Sequence, residues 1–262
     1  MLTGAILGVL VGIVLGLTGA GGGILAIPAL TLGLGWSMTQ AVPVALVAVG
    51  TAAAAGAVGA WRQGLVRYRA ALLMAVLGAA VSPLGLWLAA RLPESLLAVS
   101  LGALLLFIAV RTLRAARRGT EDERLGRSAN CVLDPCTGRL CWNLKCSATL
   151  AAIGSLSGLL SGLLGVGGGF LLVPALQTFT NVGLNGVVAT SLMAMALISG
   201  STAVSALVAG ATIDTSGLGF VAASVVGMLA GRRLFAGLPP RFIQLGFASL
   251  CIMAAAYLLF RH

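Results

Sequence analysis

Gly16-Leu17-Thr18-Gly19-Ala20-Gly21-Gly22-Gly23 and Gly162-Leu163-Leu164-Gly165-Val166-Gly167-Gly168-Gly169 are two versions of one stretch, set 146 residues apart. The same offset carries Pro28-Ala29-Leu30 onto Pro174-Ala175-Leu176, Val42 and Leu46 onto Val188 and Leu192, Ala57-Val58 onto Ala203-Val204, Gly64 onto Gly210, and Leu92-Pro93 onto Leu238-Pro239. Unrelated apolar helices would not hold one register that far without an insertion. The chain therefore divides into two homologous repeats, 1–116 and 147–262, joined by a basic, cysteine-containing linker over 117–146.

Both repeats belong in a bilayer. Hydrophobic residues make up 59% of the 262 and charged residues only 8%, where soluble domains carry about a quarter charged. Apolar runs of about 20 residues, enough to cross a hydrocarbon core of about 30 Å as helix, recur along the chain. They lack the alternation of a barrel strand. The expected fold is all-α: a polytopic integral membrane helical bundle. In each repeat a first segment broken at the glycines, a broken helix or re-entrant hairpin (about 4–35 and 149–181), precedes three plain spans. The spans run near 40–60, 70–90 and 95–113, then 186–209, 215–231 and 241–260. No Lys or Arg precedes the first apolar run, so that run is read as structure and not as a cleaved leader.

Charge orients the chain. Of the sixteen basic residues, eight lie between Arg111 and Lys145, which marks a cytoplasmic linker by the positive-inside rule and not a nucleic-acid surface. Arg62, Arg67 and Arg69 fall on the same side. Arg232, Arg233 and Arg241, read as a loop, join that side only if each broken segment dips in and returns, giving an inverted pair of repeats. Eight simple spans with parallel repeats are the competing arrangement.

The glycine stretches are the candidate binding site. Consecutive glycines are poor helix formers, by about 1 kcal/mol each relative to alanine, and a break inside lipid frees backbone groups that lipid cannot satisfy. Packing motifs space their small residues four apart to keep one face. These glycines are consecutive, are followed by a proline, and occur twice. A helix restarting there points free N–H groups and a positive dipole end into the gap, which suits an anion. The candidate substrate-binding residues are Thr18, Gly19, Gly21, Gly22, Gly23, Ser161, Gly165, Gly167, Gly168 and Gly169, with Thr190 and Ser191 in the next span. Any one of these hydroxyls can instead bond its own helix, and Pro28 and Pro174 are read as kink formers. The spans hold no carboxylate and no imidazole, the one histidine being His262. That leaves no proton relay, metal-ligand set, cofactor motif or catalytic constellation across the membrane. The expected partners are a small anion and the lipid bilayer; nothing in the pattern sets an oligomeric state.

The repeated Gly-x-Gly-Gly-Gly with its following proline, Ala189-Thr190-Ser191-Leu192, and the turns Leu92-Pro93-Glu94 and Leu238-Pro239-Pro240 resemble the sulfite exporter TauE/SafE family of bacterial membrane proteins. The resemblance spans both repeats and implies export of small sulfur anions, such as sulfite or sulfoacetate, across the inner membrane. The first repeat departs from the pattern, with Pro43-Val44-Ala45 where the second has Ala189-Thr190-Ser191. A gated anion channel sharing the site, and a membrane-anchored redox sensor using the linker cysteines, are the alternatives. Cys131, Cys136, Cys141 and Cys146 recur every five residues, which is not the spacing of a zinc site. Asp134-Pro135-Cys136-Thr137-Gly138-Arg139 reads as a turn of a β-hairpin pairing Leu133 with Leu140. Four thiols on such a hairpin do not converge, so free cysteines are expected in a reducing cytoplasm.

Overall fold

The structure, a computed structural model, describes residues 2–19, 21–118, 131, 142–211, 214–234 and 240–261. It is an all-α bundle. Helix α1 (Leu2–Thr18), a 3-10 turn (Gly21–Leu25) and α2 (Ala26–Gly33) precede α3 (Met38–Arg62), α4 (Tyr68–Ala89) and α5 (Glu94–Arg118). Then come α6 (Leu144–Leu164), α7 (Gly169–Phe179), α8 (Leu184–Val208), α9 (Thr215–Leu234) and α10 (Pro240–Arg261). Among the described residues, α3, α4, α5, α6 and α8 are long and apolar enough to cross a membrane by length and composition. Their outer faces are apolar, with Val76 58%, Phe107 64% and Val204 60% exposed, a surface stable against lipid tails but not against water. Trp61, Tyr68 and Trp142 stand at one end of the bundle and Trp36 and Trp87 at the other, as amphipathic rings do at the two membrane interfaces. The Arg91 guanidinium lies 3.8 Å from the centre of the Trp87 ring.

Helix directions follow from which residues touch. On α3 and α8, Gly50 lies beside Ser199 and Gly56 beside Leu192, while the Arg67 N–H, just past α3, donates to Thr190 Oγ1 at 3.0 Å. As one number rises the other falls, so this central pair is antiparallel. Helix α1 runs parallel to α9, with Gly8 against Phe220, Gly12 against Ser224 and Gly16 against Met228, and α6 runs parallel to α4, with Gly154 against Met74, Gly158 against Gly78 and Gly162 against Ser82. Glycines every fourth residue line one face of each helix and let the backbones meet. A methyl group placed on Gly8 would stand 2.6 Å from the Phe220 carbonyl oxygen, and one on Gly154 2.5 Å from that of Met74.

Between Thr18 and Gly21 the chain reverses inside the bundle. Gly22 packs on Leu15, Gly33 on Leu7, and a Gly4 methyl would lie 3.6 Å from Leu34, so the first segment begins and ends at one face. The second does the same at the opposite face, where Cys131 joins its two ends. A disulfide links Cys131 to Cys146 near the start of α6; the Cys131 N–H donates to Phe179 O at 3.1 Å and its carbonyl accepts from Asn181 at 3.4 Å, beyond α7. Cys131 and Cys146 are therefore not free, which corrects the expectation of free cysteines: the partner of Cys131 is a residue of α6. The backbone of Cys131 bridges to Thr180, and the Leu133–Leu140 pairing lies outside the described residues. Arg62, Arg67, Arg69, Arg111, Arg114, Lys145, Arg232 and Arg233 gather at this second face and Arg91 stands at the other. Arg232 and Arg233 lie in the last turn of α9 and Arg241 in α10 instead of in a loop, and Arg232 Nη1 donates to the Gly56 carbonyl of α3.

Two outcomes are expected. In purified, detergent-solubilised protein, Gly158→Val lowers stability by about 1–3 kcal/mol through overpacking against Gly78, whereas Gly219→Ala, with nothing within 4 Å of the added methyl, leaves the melting temperature unchanged or raises it; thermal unfolding reads both. Mass spectrometry of a non-reduced digest yields a linked pair of peptides carrying Cys131 and Cys146, lost on reduction.

Candidate functional site

Each turn is shaped by glycines no other residue could replace. Gly19 (φ 74°) closes α1 and its N–H donates to Leu15 O at 2.8 Å; a side chain there would strike Val188 of α8. In the second turn Gly165 (φ 67°), Gly167 (φ 73°) and Gly168 (φ 66°) all take left-handed angles, which cost an L-residue about 1–2 kcal/mol each before any clash. A methyl on Gly165 would lie 2.8 Å from Val42 and 3.0 Å from Ile27, and one on Gly167 2.8 Å from Val49 and 2.6 Å from Ser199 Oγ.

The two turns meet. Gly23 faces the Val166 carbonyl oxygen, 2.9 Å from where its methyl would be, and Val49 touches both Gly23 and Gly167. Val49 stands at the middle of α3 and Ser199 near the middle of α8, so the junction lies halfway through the bundle. Gly19, Gly22, Gly23, Gly165 and Gly167 to Gly169 are buried, and Gly21 opens the 3-10 turn.

Donors remain at the second turn. Gly168 caps α7, and the N–H groups of Gly169 and Phe170, in its first turn, have no acceptor among the described residues. Ser161, in the last turn of α6, and Ser199 are both fully buried, and their Oγ atoms have no hydrogen-bond partner among the described residues. A buried hydroxyl left unsatisfied costs about 1–3 kcal/mol, so these atoms call for a water or a ligand. Ser157, one turn before Ser161, is committed: its Oγ donates to Gly168 O at 3.0 Å. In the first turn Thr18 Oγ1 donates to Val14 O at 2.8 Å and accepts from the Gly22 N–H at 3.1 Å.

The other hydroxyls anticipated from the sequence lie apart from this cluster. Thr190 Oγ1 donates to Gly186 O at 2.7 Å and accepts from Arg67 N, at the basic end of the bundle. Ser191 is buried one turn from Met195, with its proton given to Val188 O at 2.9 Å. Ser199 was not anticipated, since its counterpart in the first repeat is Ala53 and the repeat comparison gives it no weight. Its position eight residues, about two turns, beyond Ser191 on α8 is the signal that would have found it.

Comparison with known proteins gives the family. The family described as "Sulfite exporter TauE/SafE" matches residues 4–258. The chain belongs to the sulfite exporter TauE/SafE family. A "Probable membrane transporter protein" of Xylella fastidiosa strain 9a5c is 32% identical over 189 residues, 72% of this chain and 67% of the relative. A protein of the same description from Xylella fastidiosa strain Temecula1 is 31% identical over 195 residues, again 72% and 67%. No solved structure matches. As a TauE/SafE member the chain is a membrane transporter and not an enzyme, and among the described residues no three His, Cys, Asp or Glu side chains group as a metal site.

Proposed function

We propose that this transporter exports small anions, sulfur oxyanions or organosulfonates such as sulfite or sulfoacetate, and binds them near the membrane midplane where the two glycine turns meet. One observation carries the reading. Two fully buried hydroxyls without partners, Ser161 and Ser199, lie on the helices around a left-handed glycine turn that opens into the N-terminus of α7. Hydroxyl protons, free N–H groups and a positive dipole end all favour negative charge. The family name and the relatives' descriptions point to the same class of activity.

Two inverted repeats are the framework of this proposal. Helix α3, displaced by 146 residues, coincides with α8 end for end, and the two run antiparallel. The pairs α1–α9 and α6–α4 exchange under the same shift, and the basic residues collect on one face. We assign that face, with the 117–146 linker, to the cytoplasm on its positive charge, although the Cys131–Cys146 disulfide there is unusual for a reducing compartment. From a negative interior the exit of an anion is downhill by about 2.3 kcal/mol per charge per 100 mV, so no coupled proton is required.

Protein reconstituted in liposomes is expected to carry a sulfur oxyanion or sulfonate saturably in a panel of sulfite, sulfate, thiosulfate, sulfoacetate, acetate and chloride. Gly168→Ala, forced into both a left-handed φ and the Ser157 backbone, is expected to lose at least nine-tenths of that flux. Large flux that does not saturate would indicate a channel, and equal flux in the variant would return the glycines to a packing role.

A further inference from the structure

The two glycine turns are related in sequence but not in the hydrogen bonds they leave open. In the first, the Thr18 hydroxyl is spent on Val14 and caps the Gly22 N–H. Gly22 itself is pressed on the Leu15 backbone, with a methyl there only 2.5 Å from Leu15 Cα. Neither Gly22 nor Gly23 has a positive φ, and every orphaned buried hydroxyl among the described residues belongs to the second half of the chain. In the second turn three glycines are left-handed, α7 starts with unbonded N–H groups, and Ser199 Oγ lies 2.6 Å from the point where a Gly167 methyl would be.

Resting on the anion-site reading above, we infer that the anion is held from one side only: the second turn and the start of α7 supply its backbone donors, Ser199 is its side-chain ligand together with Ser161, and the first turn is a scaffold that shapes the opposite wall. Near Gly167 the facing wall is Val49 of α3, an apolar side chain that touches both turns. Repetition in the chain thus provides the inverted frame, while binding is concentrated in one copy. The divergence is a matter of side chains: Ser161 corresponds to Leu15, Ser199 to Ala53 and Ser157 to Val11 across the 146-residue offset.

The test is ligand-dependent thermal stabilisation of the purified protein in detergent, titrated with sulfite, on wild type, Ser199→Ala, Ser161→Ala and Thr18→Val. Ser199→Ala is expected to weaken apparent sulfite affinity about tenfold or more, the scale of a hydrogen bond to a charged group. Its melting temperature without ligand should stay level or rise, because the hydroxyl has no partner to lose; a merely structural serine would behave the opposite way. Thr18→Val, which removes the Gly22 cap, is expected to lower the ligand-free melting temperature and leave affinity within about twofold. Should Ser199→Ala not fold, Ser199→Cys keeps the volume and still removes the strong donor. Wild-type affinity in the Ser199 variants, or equal weakening by Thr18→Val, overturns the one-sided site while leaving an anion site at the junction. Absence of any sulfite-dependent, saturable shift in the wild type removes the anion site itself and this inference with it.

Discussion

A helix that stops inside a bilayer exposes backbone N–H and C=O groups to a solvent that cannot bond them, and the protein is organised around meeting that demand. It breaks a helix twice, at Gly19–Gly23 and at Gly165–Gly169, and places both breaks where other helices close over them. In the first break Thr18 meets part of it, accepting from the Gly22 N–H. In the second it is met in part, by Ser157 on the Gly168 carbonyl, while Ser161 and Ser199, on α6 and α8, keep buried hydroxyls without partners among the described residues. A deficit of this kind is costly in a structural helix and useful in one that must take up an anion and release it.

The close approach that hides the turns has its own requirement. Helices α1 and α6 reach mid-bundle because Gly8, Gly12 and Gly16, and Gly154, Gly158 and Gly162, let them lie backbone to backbone on α9 and α4. In hydrocarbon, where apolar surface gains little by meeting other apolar surface, this packing of small residues is the main attraction available. Each hairpin therefore leans on the opposite half of the chain, and neither half has its full set of contacts without the other. At the basic face the second hairpin has a further restraint, since Cys131 is bonded to Cys146 at its start and hydrogen-bonded to Phe179 and Asn181 at its end. The first hairpin is held at the opposite face by apolar contact between its own strands of helix, Leu7 on Gly33 and Gly4 near Leu34.

Much of this was legible in the chain before folding. The span boundaries of α3 and α8 differ from the periodicity reading by two residues or fewer, because a membrane helix is long and uniformly apolar and ends where glycine or charge ends it, as at Gly64 and Gly210. The glycine runs stand out in the sequence because consecutive glycines are poor helix formers. The fourfold spacing of the packing glycines was equally open to view, but the eye goes to the clustered ones. The linker was the poorest part. Even spacing of four cysteines does not say which two will meet, and Cys131 found Cys146 only because the chain returns to the end of α7.

What the sequence by itself determined is the class: an all-α membrane bundle of long apolar helices with its basic residues clustered, a consequence of local composition. What only the tertiary structure decided is direction and chemistry. Which helix a segment lies beside is a matter of contacts such as those of Gly22 with Leu15 and of Gly33 with Leu7. Which hydroxyls are free depends on whether a carbonyl one turn back accepts their proton, which separates Ser161 and Ser199 from Thr18, Thr190 and Ser191. The physical reason is the same in both cases: hydrogen bonding and close packing are set by distances of a few ångströms between segments far apart in the chain, and a residue's type records what it can bond but not what it meets.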